Sequence, residues 1–70
     1  MKRVDLIRRI GVAARDAGLT WSLVRQGSKH EPWELSGRQI TIPRHREINE
    51  ITARAIVRAL EAELGDHWWQ

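Results

Sequence analysis

The sequence predicts a small α+β domain of order αβββα, with two helices on one face of a three-stranded antiparallel sheet. Three observations carry this reading. Apolar residues recur at helical spacing near each end of the chain, the stretch between them is rich in β-formers in short alternating runs, and Gly-containing turns separate those runs.

Each element follows in order. Val4, Ile7, Ile10, Ala14 and Ala17 recur every three or four residues, with Leu6 beside them, which predicts a helix over residues 3–17 stopped by Gly18. Gly11 weakens its middle by about 1 kcal/mol relative to alanine without breaking the pattern. Thr20 to Gln26 reads as a first strand, with Trp21 and Leu23 on one face, and Gly27-Ser28-Lys29 as a loop. His30 to Leu35 is a second strand that Pro32 should confine to a sheet edge or a bulge. Ser36-Gly37-Arg38 is a tight turn into a third strand, Gln39 to Ile42, ended by Pro43. After an irregular connector over residues 44–48, Asn49 is placed to cap a second helix, with Glu50 in its first turn. Ala53, Ile56, Val57, Leu60 and Leu64 form that helix's buried stripe as far as Gly65.

Seventy residues make one domain, residues 1–70, in which 66–70 form a tail. So short a chain buries only about 60% of its unfolded surface, leaving a thin core that a partner can complete. With no cysteine there is no disulfide framework, thiolate zinc site or thiol nucleophile. The start, Met1-Lys2-Arg3-Val4-Asp5, lacks the apolar core of a signal peptide, and no run approaches the roughly 20 apolar residues of a membrane span. A cytoplasmic protein is expected. His30, His45 and His67 fall in three separate segments without supporting acids, so neither a metal nor another cofactor is expected.

The net charge of +3 conceals a polarity. Residues 1–46 hold ten basic and four acidic residues, whereas residues 47–70 hold two basic and five acidic ones. Most of the cations are arginines, whose planar fork suits phosphate. This fits a basic face for a polyanion and an acidic back. The basic residues of the first helix read more simply as a solvated face, with Asp5 within reach of Arg8 and Arg9.

Gly27-Ser28-Lys29-His30 combines a loop whose N–H groups can approach a phosphate, a point charge, and an imidazole that can move protons near neutral pH. Taken alone it describes any solvated hairpin. Pro43-Arg44-His45-Arg46 changes that reading, because a turn at Ser36-Gly37 sets His30 opposite Pro43 and brings Arg44 and His45 near it. Trp21 and Trp33 are expected in the core, although stacking on a base is the alternative for Trp33. Trp68 and Trp69 are expected to fold back on the sheet or first helix rather than to form an exposed patch.

Taken in sequence, GSKH, Ile42-Pro43-Arg44-His45, Glu47-Ile48 and Thr52-Ala53-Arg54-Ala55-Ile56 make residues 2–65 resemble the HicA-type toxins of bacterial toxin–antitoxin pairs. These are small mRNA-cleaving ribonucleases with a double-stranded-RNA-binding-like αβββα fold. The resemblance implies that His30, in the place of the His of the family's Gly-Ser-x-His loop, is the catalytic residue. It also implies a HicB-type antitoxin as partner, the toxin being monomeric alone or hetero-oligomeric with it. For such a reaction Gly27, Ser28, Lys29 and Arg44 are the candidates to hold the phosphate and Arg25 and Arg38 to steer the RNA backbone. His45 is a candidate second proton-transfer or phosphate-contacting group. Pro32 and Trp33 are not assigned by the family pattern. A non-catalytic RNA-binding module of the same fold is the alternative.

Overall fold

The computed structural model describes residues 1–26 and 29–70. Its elements run α1 (Arg3–Asp16), β1 (Trp21–Leu23), β2 (His30–Leu35), β3 (Arg38–Pro43), α2 (Glu50–Ala59) and α3 (Glu61–Leu64), and the sheet order is β1-β2-β3, antiparallel throughout. This is the αβββα layout, with the last helix broken into two at Leu60. There the Leu60 N–H is shared between the Ile56 and Val57 carbonyls, at 3.2 and 3.3 Å. Among the described residues no helix is long and apolar enough to cross a membrane.

The buried face of α1 is Leu6, Ile10 and Ala14, and Val4 is 68% exposed. The expected stripe through Val4, Ile7 and Ala17 is therefore rotated. Leu6, Ile10 and Ala14 also recur every four residues, and the sheet selects that row because it continues into Leu35 and Ile42. At the helix end the Leu19 N–H reaches the Ala14 carbonyl and the Gly18 N–H that of Arg15, a Schellman motif. It requires the positive φ of 73° that Gly18 adopts.

Pro32 lies on the central strand, not on an edge. The ladder accommodates it because β1 stops at Leu23. The Val24 N–H still donates to the Pro32 carbonyl at 2.9 Å, and the return donor that proline lacks would have faced the end of β1. On its other side, hydrogen-bonded pairing with β3 falls on the neighbouring residues, so that ladder loses nothing. The β2–β3 loop is two residues, Ser36 at φ 47° and Gly37 at φ 94°, and positive φ at both central positions is what a type I′ turn demands. It sets the register that pairs His30 with Pro43.

Leu6, Ile10 and Ala14 of α1, Leu35 and Ile42 of the sheet, Ile48 of the connector and Ala53, Ile56 and Leu60 after it make the core. Trp21 and Trp33 stack at 4.7 Å between centroids and pack against this core, so the core reading holds for both. Gly11 of α1 faces the Trp21 ring, which a β-carbon there would touch at an ordinary contact distance of 3.4 Å. The Asn49 side chain caps α2, accepting from the Thr52 N–H at 2.8 Å. Asn49→Ala is expected to cost about 1 kcal/mol, read as a lower urea midpoint at unchanged slope.

The tail folds back, as expected, and it does so on the helices. Trp68 donates its indole N–H to the Val57 carbonyl at 2.9 Å, and the Trp69 ring lies 3.7 Å beneath the Arg9 guanidinium, which also donates to the Trp69 carbonyl. The two rings meet edge to face.

Candidate functional site

Side chains alternate across a strand, so the register divides β2 and β3 into two faces. Glu31, Trp33 and Leu35, opposite Ile42, Ile40 and Arg38, face the helices. His30, Pro32 and Glu34, opposite Pro43, Thr41 and Gln39, face away from the helices, His30 and Glu34 exposed and Pro32 buried. His30 is the first residue of β2 and is exposed. Beside it the Arg44 N–H donates to the Lys29 carbonyl at 2.9 Å, extending the ladder one pair beyond His30–Pro43. The turn thus unites the two basic segments of the sequence at one end of the sheet. Gly27 and Ser28 lie outside the described residues.

Beneath His30, on the helix side, Glu31 is 7% exposed yet fully employed. Arg3 of α1 donates to one of its carboxylate oxygens, and the Arg44 Nε lies 3.6 Å from the other. Arg3 also donates through Nε to the Pro43 carbonyl at 2.9 Å. Two cations on one buried carboxylate offset its desolvation, and the cluster ties the start of α1 to the exit of β3. The same geometry turns the Arg44 side chain toward the helix face while His30 points to the opposite one. Arg44 is therefore joined to the backbone of Lys29, next to His30, while its half-exposed guanidinium lies at the end of the sheet on the helix side.

The other candidates divide. Lys29 and His45 are exposed at the His30 end, His45 two residues past Pro43. Arg25 is exposed in the segment after β1, whose direction carries it toward the same end. Arg38 is not part of the group. It pairs with Leu35 at the turn, five residues and about 17 Å along the strand from His30, and its Nε lies 3.5 Å from Glu63. The hairpin that brings Arg44 to His30 necessarily carries Arg38 to the far end.

Glu31 and Arg3 are the site residues that the sequence reading missed. For Glu31 the signal was present, since it alternates with Trp33 and Leu35 and so belongs to the buried face. Arg3 left no local signal, because its partners lie 28 and 40 residues away. No protein-family model, curated protein or solved structure matches the chain.

Proposed function

We propose that the chain is a metal-independent endoribonuclease of the HicA toxin type, which cuts mRNA through His30 and is neutralised by a HicB-type antitoxin. The observation that carries the reading is the placement of His30, exposed at the end of the sheet face turned away from the helices and in register with Pro43, with Lys29 and Arg44 joined beside it. Among the described residues the His30 side chain is exposed, which leaves it open to an extended RNA strand.

The chemistry asks for little more. The 2′-hydroxyl oxygen bonds to phosphorus as it loses its proton, the bond to the 5′-oxygen breaks, and that oxygen gains a proton, leaving a cyclic phosphate and a 5′-hydroxyl. His30 is the proton-transfer group, and the exposed cations at this end of the sheet offset the charge that builds on the phosphate. A cytoplasmic site of action belongs to the same reading.

Purified protein is expected to degrade single-stranded RNA in the presence of EDTA. RNA retained at low salt but recovered intact would replace the nuclease with a binding module.

A further inference from the structure

We infer that the RNA path continues from His30 around the end of the sheet onto a basic ridge completed by the first residues of the chain. RNA as the ligand rests on the function proposed above; the ridge itself rests on a separate set of contacts. Lys2 pairs with Glu47 as an isolated antiparallel bridge, the Arg3 N–H donates to the Arg46 carbonyl at 3.0 Å, and Met1 and Ile48 exchange hydrogen bonds at 2.8 Å. The N-terminal segment therefore lies against the β3 exit like a short added strand. It brings the backbone of Lys2 next to that of Arg46, 44 residues away in sequence, just past the Arg44 end of the sheet.

Three carboxylates near this end are already committed to cations, although the exposed Glu50 at the start of α2 is in no ion pair among the described residues. Glu31 is held by Arg3 and Arg44, Glu47 lies 3.2 Å from the N-terminal ammonium, and Asp5 is turned to Arg8. Lys2 and Arg46 are exposed and enter no ion pair among the described residues. The positive end of the α1 dipole lies at the same corner. Exposed cations that enter no ion pair among the described residues, lying past the same end of the sheet as His30, form a track for successive phosphates rather than a pocket for one anion.

The test measures binding in a His30→Ala background, where RNA stays whole, using a fluorescein-labelled oligouridylate over a series of salt concentrations. Lys2→Gln with Arg46→Gln is expected to flatten the slope of log affinity against log salt by about 0.7 for each cation removed. Arg15→Gln with Arg58→Gln removes the same charge from the far ends of α1 and α2 and is expected to leave the slope in place. An unchanged slope in the first pair, an equal fall in both pairs, or no binding by the parent would overturn the ridge. Cleavage is read separately with His30 intact. Flattening in a protein that never cuts RNA keeps the ridge and rejects the nuclease, and cutting without flattening does the reverse.

Discussion

Replacing His30 by alanine is expected to lower RNA cleavage by about a hundred- to ten-thousand-fold, the usual contribution of a positioned proton-transfer group. The fold should be untouched. His30 is exposed, it faces away from the helices, and its strand is held by backbone hydrogen bonds that alanine makes equally well. Exposed substitutions of this kind change stability by no more than about 0.5 kcal/mol. Loss of cleavage with an unchanged melting curve is therefore the expected pair of results. Cleavage that persists at the parent rate would remove His30 from the chemistry and with it the proposed mechanism.

Leu35→Ala should have the opposite profile. Leu35 is fully buried on the central strand, opposite Trp21 on one side and Arg38 on the other, and the core it joins is small. A buried Leu→Ala change costs about 3–5 kcal/mol, against a total of about 3.5–10 kcal/mol for a chain of this length. A large part of the molecule is expected to be unfolded at room temperature, seen as a fall in the urea midpoint followed by tryptophan fluorescence. The Trp21–Trp33 stack lies next to the cavity and should report the change directly. A shift below 1 kcal/mol would mean that the sheet and α1 close over the void.

How much of this was legible in the sequence depends on how far each interaction reaches along the chain. The Ser36-Gly37 turn, the Asn49 cap and the Gly18 stop were readable, because each is decided by a few neighbouring residues. The His30–Pro43 pairing was readable for the same reason. A two-residue turn leaves only one register, and counting outward from it brings the two basic segments together. The two faces of β2 could also have been counted, and the alternation already assigned Glu31 to the core side.

Other features lay beyond local reading. Which row of α1 is buried depends on where the sheet presents Leu35 and Ile42, since two overlapping apolar rows exist on that helix. Pro32 is tolerated on the central strand only because β1 ends one residue before the missing donor would be needed. The seating of the Trp68-Trp69 tail required a carbonyl of α2 and a guanidinium of α1 to be placed together.

The sequence by itself determined the αβββα order, the turn and the meeting of His30 with the Pro43-Arg44 exit, all set by short-range periodicity and backbone geometry. Only the tertiary structure decided that Glu31 is buried between Arg3 and Arg44, that Arg38 stands apart, and that Lys2 joins the same basic end. Charges interact through space, and their spacing along a chain says nothing about distance until packing has folded the ends together.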